Sequence, residues 1–517
     1  MTTMGVSPLQ SRGASKEGPE LFIGLVGALG AGLVELTTSL GDSLANMGYD
    51  SQLVRVSKAL HDVPKWADLP TDPLDQQIAE HQQAGNDLRG KTGDGGAMAG
   101  LAIGAIQELR SRLGSSASTP LPNTAYIIRS LKHPDEVDRL RRVYGSAFFL
   151  VAAYSPLATR ERELASDIAR SRHSANWEEH LPRARELIQK DEAEENKLGQ
   201  RVRDTFPLAD VFVASHRPVE LREQVDRFVE VVFDHPFHTP TRDEFAMFQA
   251  FSTMLRSSDL ARQVGAVIST AGGDVVAVGT NEVPRAGGGS YWEGDADDAR
   301  DFALGRSTSK QWRSLALGEV LRRLDERGRL KLSAGESADS ILGEVLKTME
   351  GTLLMNSGEF GRTVHAEMAA LLDAARRGVR VEGCTLYTTT FPCHNCAKHI
   401  VAAGISRVQY IEPFPKSLAE ELHRDAIQVE GESEQPKRVA FQPFVGIAPS
   451  RYADLFRMTK RRDASGAVRR WNQADAIPRY PDTWPAVTYP LAEDKVILDL
   501  KERMVQAGLL DTEKTNN

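Results

Sequence analysis

The sequence predicts an α/β protein with two domains, and three observations support this. The chain has 517 residues, more than one hydrophobic core usually holds. Its first half alternates strand-like and helix-like stretches, which is the pattern of a parallel sheet covered by helices. The segment from His235 to Pro240 contains two prolines and breaks both helix and strand, and a second alternating series follows it.

The first domain is predicted at residues 20–235, after a polar and flexible tail at residues 1–19. It begins with a buried strand at Leu21–Val26, a glycine loop at 27–32 and a helix at Leu33–Met47. Charges recur at helical spacing between residues 160 and 203. The further predicted strands are Gln52–Val56, Thr124–Ile128, Ala147–Ala152 and Val211–Ala214.

The second domain is predicted at residues 241–460, with an insertion at 285–362 and a C-terminal extension at 461–517. Its predicted helices are Arg242–Ser257, Gln311–Arg327, Ser337–Met349, His365–Arg377 and Cys393–Ala403, and the extension ends with Asp494–Ala507. Its predicted strands are Gln263–Ser269, Asp274–Gly279, Thr385–Thr389, Arg407–Ile411 and one more within Arg438–Ile447.

Composition narrows the functional classes. The net charge of −8 gives no general attraction to polyanions, which weighs against a protein that coats nucleic acid. The apolar run at Leu21–Val34 is too short to span a bilayer, so we expect a cytoplasmic protein without a membrane partner. Two of the three cysteines, Cys393 and Cys396, have the spacing of a metal or redox site in a reducing compartment.

The strongest motif is His365-Ala366-Glu367 followed by Pro392-Cys393-x-x-Cys396, an arrangement typical of zinc deaminases. The two cysteines would lie one turn apart at a helix N-terminus, where the helix dipole favours thiolates. With His365 they would give Zn²⁺ three protein ligands, which leaves a fourth position for a water that the metal makes acidic.

Glu367 is the predicted catalytic residue, because a carboxylate two residues from a ligand can move protons without binding the metal. A C-x-x-C pair alone is often a structural zinc knuckle or a redox pair. A structural zinc site has no use for Glu367, so the whole motif favours a catalytic centre over a binding protein.

Around this motif, the chain from Thr241 to Arg451 resembles the cytidine and deoxycytidylate deaminase family. The stretches that carry the resemblance, besides the zinc motif, are Ser257–Val267, Gly279–Pro284 and Thr363–Glu367. The resemblance implies an α/β/α domain with a mixed sheet.

The same resemblance implies a set of substrate-binding residues. Asn281 would contact the nucleotide sugar, and Ala366 and Phe391 would line the base pocket, although Phe391 also suits a core position. Lys416 would contact phosphate, with a solvated surface position as the alternative.

The glycine loop Gly27-Ala28-Leu29-Gly30-Ala31-Gly32 resembles the P-loop of nucleotide kinases. Gly27, Gly30 and Gly32 are kept, and they would expose backbone N–H groups to a phosphate. Leu33 and Val34 replace the expected lysine and hydroxyl residue, so kinase or ATPase activity is not expected. Binding of a regulatory nucleotide and a purely structural turn both remain open.

A P-loop-like half joined to a deaminase half resembles the bacterial two-domain deoxycytidylate deaminases, as do the stretches Ile127–Pro134 and Asp204–Asp210. The resemblance implies hydrolytic deamination of dCTP or dCMP, depletion of that pool in defence against phage, and a homo-oligomer. Because unrestrained activity would starve the host's own replication, we also expect an inhibitor in uninfected cells. The alternatives are a deaminase of RNA or single-stranded DNA and a housekeeping dCMP deaminase of pyrimidine salvage. The sequence does not decide between dCTP and dCMP, and it assigns no role to the insertion.

Overall fold

A computed structural model describes residues 17–192, 194, 198–349, 351–352, 354–355, 360–413, 417–430, 438–457, 459–479 and 488–511. The chain forms two compact units. The first contains the described residues of Met1–Pro240 and Val445–Asn517, and the second is Thr241–Phe444. Most of the predicted flexible tail, residues 1–16, lies outside the described residues.

The first unit is built on a parallel sheet, as the sequence predicts. Its strands run in the order β5-β4-β1-β3-β2, and all of these neighbours pair in parallel. The elements up to residue 240 are β1 (Leu21–Val26), α1 (Leu33–Asn46), β2 (Asp50–Arg55), α2 (Leu74–Thr92), α3 (Ala97–Arg112), β3 (Thr124–Arg129), α4 (Pro134–Tyr144), β4 (Phe148–Tyr154), α5 (Leu157–Ser171), α6 (Leu181–Glu192), α7 (Val202–Thr205), β5 (Val211–Ala214) and α8 (Pro218–Val232). All six residues of β1 are buried, which is the composition of a strand covered on both faces.

The second unit has a mixed sheet, which confirms the expected α/β class. The strand order is β10-β11-β9-β8-β6-β7, where β6 is antiparallel to both its neighbours and the other pairs are parallel. Its elements are α9 (Arg242–Met254), β6 (Gly265–Ser269), β7 (Val275–Thr280), α10 (Thr308–Glu326), α11 (Ala338–Thr348), α12 (Ala366–Arg377), β8 (Thr385–Thr390), α13 (His394–Ala402), β9 (Arg407–Glu412), α14 (Ala419–Leu422), β10 (Ile427–Val429) and β11 (Val439–Pro443).

Two glycines bring helices close to this sheet. A Cβ at Gly265 would lie 2.0 Å from the carbonyl oxygen of Ala250 in α9, and one at Gly279 would lie 2.1 Å from that of Ala366 in α12. Because only glycine allows this approach, α12 begins directly against β7. The residues at the start of α12 are therefore held at a fixed place beside the sheet.

The insertion contains its own small apolar cluster. Leu317 and Leu321 of α10 pack with Ala338 of α11, and Leu342 and Val345 complete the contact. The two helices lie close to the predicted Gln311–Arg327 and Ser337–Met349.

After Phe444 the chain returns to the first unit, which differs from the predicted domain end at 460 and the separate extension at 461–517. The returning elements are β12 (Gly446–Ile447), α15 (Tyr452–Phe456) and α16 (Tyr489–Gln506). β12 pairs antiparallel with β5, and Glu493 of α16 bonds Arg110 of α3 through two hydrogen bonds of 2.5 and 2.9 Å. Such partners lie hundreds of residues apart, so the local pattern gives no sign of them.

Among the described residues, no helix is long and apolar enough to cross a membrane.

Candidate active site

The start of α12 positions two residues of the predicted zinc motif. His365 is the N-cap of α12, and Glu367 lies in its first turn. Just before them, Val364 exchanges two backbone hydrogen bonds with Glu282, of 3.2 and 3.1 Å. This bridge links the residue before His365 to the segment that follows β7. The backbone from which the His365 side chain projects is therefore held in place.

The start of α13 positions the two cysteines. Cys393 is the N-cap of α13 and Cys396 lies in its first turn, so both sit beside unpaired helix N–H groups. The predicted helix start at Cys393 is thus one residue early. Ser417 donates a hydrogen bond of 2.8 Å to the carbonyl of Pro392, which holds the residue preceding Cys393.

The two helix starts bring three metal-ligating atoms together. His365 Nδ1 lies 3.3 Å from Cys393 Sγ and 3.4 Å from Cys396 Sγ. A tetrahedral zinc ion with ordinary Zn–N and Zn–S bond lengths separates such ligand atoms by about 3.5 Å. The donor set and its spacing therefore fit zinc.

Glu367 lies beside this cluster and is only 4% exposed. Cys396 donates a hydrogen bond of 3.5 Å to its carboxylate oxygen Oε2. Burial and the nearby charge of Cys393 raise the pKa of the Glu367 carboxyl above its usual value. A buried carboxyl with a raised pKa takes up and releases protons more readily near neutral pH than an exposed one.

The three ligand side chains shift one another's pKa values. A hydrogen bond from Cys396 and the neighbouring His365 lower the pKa of the Cys393 thiol to about 3. The hydrogen bond to Cys393 in turn raises the pKa of His365 to about 9. Its hydrogen bond with Cys393 and its burial raise the pKa of the Cys396 thiol. The cluster thus favours the thiolate, the form of cysteine that binds metals, at Cys393 but not at Cys396.

Asn281 lies at the end of β7 and is buried. Its Oδ1 accepts a hydrogen bond of 2.7 Å from the backbone N–H of Val264, and its Nδ2 donates one of 2.7 Å to the carbonyl of Arg262. The side chain therefore shapes the loop that precedes β6. The amide oxygen can accept one further hydrogen bond and the amide nitrogen can donate one more, so a substrate contact by Asn281 is still possible.

The other predicted pocket residues have different surroundings. Ala366 is fully buried under β7, and Phe391 packs edge-on against Tyr410 with ring centroids 4.8 Å apart. Phe391 is partly buried in the same apolar cluster as Cys393 and Cys396. Lys416 lies outside the described residues.

Asp259 was not predicted as a site residue. Its carboxylate accepts a hydrogen bond of 2.9 Å from Thr363, two residues before His365. Its charge also raises the pKa of His365, after the larger effects of Cys393 and Glu367. The residue lies inside the Ser257–Val267 stretch, but its approach to His365 depends on a contact across 104 positions.

The glycine loop in the first unit has a different environment. Gly30 and Gly32 have positive φ angles of 78° and 63°, and Gly27 directly follows β1. The backbone N–H of Leu29 donates a hydrogen bond of 3.0 Å to the carboxylate of Asp191. Lys132 Nζ lies 2.9 Å from the same carboxylate and 3.1 Å from the carbonyl of Gly27. One backbone N–H of the loop, that of Leu29, is therefore already bonded to the Asp191 carboxylate of the same chain.

The cluster of His365, Cys393 and Cys396 lies within the part of the chain that matches a known protein family. Residues 240–412 match the family model described as the cytidine and deoxycytidylate deaminase zinc-binding region. This match and the fit of the three ligand atoms confirm the prediction of zinc as the cofactor.

Several known proteins are similar to parts of the chain. ComE operon protein 2 of Bacillus subtilis is 37% identical over 105 residues, which are 19% of this chain and 55% of that protein. Deoxycytidylate deaminase of Enterobacteria phage T2 is 46% identical over 54 residues, 10% of this chain and 29% of the phage protein. The chain thus spans about half or less of the length of these relatives. Among solved structures, the apo dCMP deaminase of cyanophage S-TIM5 is 16% identical, with a TM-score of 0.22, and the match covers 40% of this chain and all of that one.

Proposed function

We propose that the second unit catalyses the hydrolytic deamination of a cytosine deoxynucleotide, dCTP or dCMP, to the uracil nucleotide. The observation that carries the proposal is the buried Glu367 carboxylate beside the cluster of His365, Cys393 and Cys396. A structural zinc site would use four protein ligands and would not need a buried carboxylate beside them. The added carboxylate gives the cluster a group that can move protons.

His365, Cys393 and Cys396 would hold the metal. Zinc bound there would supply a Lewis acid that makes a water acidic enough to react near neutral pH. The cluster's own preference for a thiolate at Cys393 supports this assignment.

Glu367 would carry the protons of the reaction. It takes a proton from the attacking water as the water oxygen forms a bond to C4 of the cytosine ring, and it gives that proton to the ring nitrogen N3. Glu367 then takes the remaining proton from the hydroxyl on C4 and gives it to the exocyclic amino group, the bond from C4 to that nitrogen breaks as the C4 carbonyl forms, and ammonia leaves. Glu367 ends the cycle in its starting form.

We propose Asn281, Ala366, Phe391 and Lys416 as the substrate contacts. The remaining hydrogen-bonding capacity of Asn281 supports a contact to the sugar. The position of Phe391 beside Cys393 in one apolar cluster supports its place at the base. The name of the phage T2 relative supports a deoxycytidylate substrate, and the net charge of −8 disfavours a polynucleotide.

A panel of substrates tests the proposal. The purified full chain is incubated with dCTP, dCMP, CTP, deoxycytidine and a cytosine-containing oligonucleotide, and uracil products are measured by chromatography. We expect the deoxynucleotides to be converted and the oligonucleotide to remain unchanged. A Glu367→Ala variant serves as the control for contaminating enzymes. Conversion of the oligonucleotide alone would favour a polynucleotide deaminase, and no conversion at all would remove the enzymatic proposal.

We further propose that the activity depletes cytosine deoxynucleotides during phage infection. Unrestrained activity would starve the host's own replication, so the enzyme would be held inactive in uninfected cells by an inhibitor or by a nucleotide bound to the first unit. A ligand there can shift activity only through different affinities for two states. The proposal also includes a homo-oligomer, a cytoplasmic location and binding without hydrolysis at Gly27, Gly30 and Gly32.

Nucleotide pools in infected cells test this role. We expect dCTP and dCMP to fall and deoxyuridine nucleotides to rise after infection in cells with the intact protein, but not in cells with Glu367→Ala. If the intact protein and the Glu367→Ala variant protected cells against phage equally well, pyrimidine salvage or a binding role would be favoured instead.

A further inference from the structure

A second group of metal-ligating side chains lies in the first unit, at the end of α8. Glu230 belongs to the last turn of α8, and His235 and His238 follow the helix. One ligand atom from each residue lies within 4.8 Å of the others, and all three side chains are half-buried. None of these residues belongs to the proposed reaction.

The backbone turns sharply to bring these side chains together. After α8, Asp234 adopts a positive φ of 59°, and the N–H of His235 donates a hydrogen bond of 3.0 Å to the carbonyl of Glu230. The chain thereby folds back over the last turn of the helix. As a result, His238 Nε2 lies 2.5 Å from Glu230 Oε2, and the rings of His235 and His238 are 4.3 Å apart.

Neighbouring groups hold the three side chains in place. Trp471 packs against the His235 ring at 4.6 Å, and its indole N–H donates a hydrogen bond of 3.2 Å to the carbonyl of Phe233. Gln473 lies 3.5 Å from Glu230 Oε1, the oxygen that does not face His238. Outer contacts of this kind orient ligands in metal sites.

The donor set selects the class of metal. Two imidazoles and one carboxylate are nitrogen and oxygen ligands that suit zinc and its transition-metal neighbours, whereas magnesium and calcium prefer oxygen alone. The backbone N–H of Phe237 lies 3.3 Å from His235 Nδ1, so that nitrogen keeps a lone pair. Metal binding at Nδ1 would exchange this long hydrogen bond for a coordinate bond.

We propose that Glu230, His235 and His238 form a second site for a divalent transition metal, with zinc as the ion it takes. The bound metal would tie the segment after α8 to the last turn of that helix. Because metal binding to the folded form alone stabilises it, zinc would also raise the resistance of the first unit to unfolding. This site is independent of the proposed deamination.

Metal counting tests the proposal. The purified full chain, carrying its first metal, is equilibrated with a small excess of Zn²⁺, desalted and measured by elemental analysis. We expect two zinc ions per chain. His235→Ala and His238→Ala should each leave one, with the affinity for the second ion reduced at least about tenfold. The matched control is His216→Ala, a half-buried histidine of the same unit outside the cluster.

Cobalt distinguishes the two sites if a variant folds poorly. Cys393→Ala should remove the thiolate-to-cobalt absorption and keep the weaker absorption of a nitrogen and oxygen site, and Glu230→Gln should do the reverse. One zinc per wild-type chain, two in His238→Ala, or an equal loss in His216→Ala would overturn the proposal. The deamination assay is a separate readout, since the variants of this cluster should deaminate like the wild type.

Discussion

The zinc cluster of the second unit and the glycine loop of the first both come from short motifs at the start of a helix, but the structure treats them differently. In the cluster, His365, Cys393 and Cys396 face one another. In the glycine loop, the N–H of Leu29 and the ammonium of Lys132 both bond Asp191, which is fully buried. The first motif gathers reactive groups, whereas in the second a carboxylate of the same chain bonds one backbone N–H of the loop and the nearby ammonium.

This difference follows from which residues each motif keeps. The deaminase-like motif keeps every group that the proposed chemistry needs, from the ligands to Glu367. The loop keeps its glycines but has Leu33 and Val34 in place of the lysine and hydroxyl residue. A motif therefore indicates chemistry only under two conditions. Its reacting side chains must be present, and its binding groups must not already bond another side chain of the protein.

The largest expected effect concerns the cluster's ligands. Cys393→Ala or Cys396→Ala should lose the bound zinc of this site and reduce deamination to background, because two protein ligands hold zinc poorly. Elemental analysis and the dCTP assay measure the two effects. Cys384→Ala is the matched control, since Cys384 is outside the cluster and should keep both. Full activity in Cys393→Ala would contradict the ligand assignment.

The next effect separates proton transfer from metal binding. Glu367→Gln should keep the zinc of the cluster and lose a factor of about 10² to 10⁴ in turnover, because a general acid and base contributes about that much. The readout is the ratio of zinc content to deamination rate. Zinc loss in this variant would instead make Glu367 a ligand.

The residues of the cluster could be predicted because the motif places them at fixed offsets from two helix starts. Most strands of both sheets were predicted for a similar reason, since buried runs such as Leu21–Val26 and Thr385–Thr390 stand out from their surroundings. The short β10 was not predicted, and the one strand expected within Arg438–Ile447 is the two strands β11 and β12. Helices α2, α3, α4 and α8 were not predicted. In α2 and α3 the apolar and polar faces are less clearly divided, but that reason does not apply to α4 and α8. Buried residues of α2 include Arg89, whose partner Glu136 lies in a different helix.

Long-range contacts account for what the sequence did not reveal. The return of the chain to the first unit depends on pairs such as Arg451 with Asp210 and Arg110 with Glu493. The role of Asp191 at the glycine loop depends on a contact across 162 positions. Charged residues in a polar stretch look like a solvated helix face until their partners are known.

The contribution of Asp191 to the glycine loop can be measured as a change in the free energy of unfolding. Asp191→Ala should destabilise the first unit by about 3–5 kcal/mol, because it leaves the ammonium of Lys132 in a mostly buried position without its carboxylate. Asp204→Ala, which removes a half-exposed partner of Arg201, should cost at most about 1 kcal/mol. Denaturation midpoints compare the two. Equal midpoints would mean that Asp191 does not hold the loop.

A smaller effect is expected from the loop's backbone. Gly30→Ala and Gly48→Ala both place a side chain at a positive φ, of 78° and 75°. A Cβ at Gly30 would also lie 2.6 Å from the carbonyl of Arg160, whereas one at Gly48 meets nothing within 4 Å. Gly30→Ala should therefore cost about 1–3 kcal/mol more than Gly48→Ala, as measured by denaturation. A similar loss in both would show that Arg160 yields easily.

The smallest expected effect is the absence of ATP hydrolysis by the first unit. A phosphate entering the loop would meet the carboxylate of Asp191 and would find Lys132 already neutralised by it. Leu33→Lys with Val34→Thr restores the missing motif residues, yet it should produce no turnover while Asp191 remains in place. Adding Asp191→Asn to this pair tests whether the carboxylate or the missing side chains prevent hydrolysis at the loop. ATP turnover by the wild type that disappears in Gly32→Val would show that the loop is an active phosphate site, and the contrast between the two motifs would then be lost.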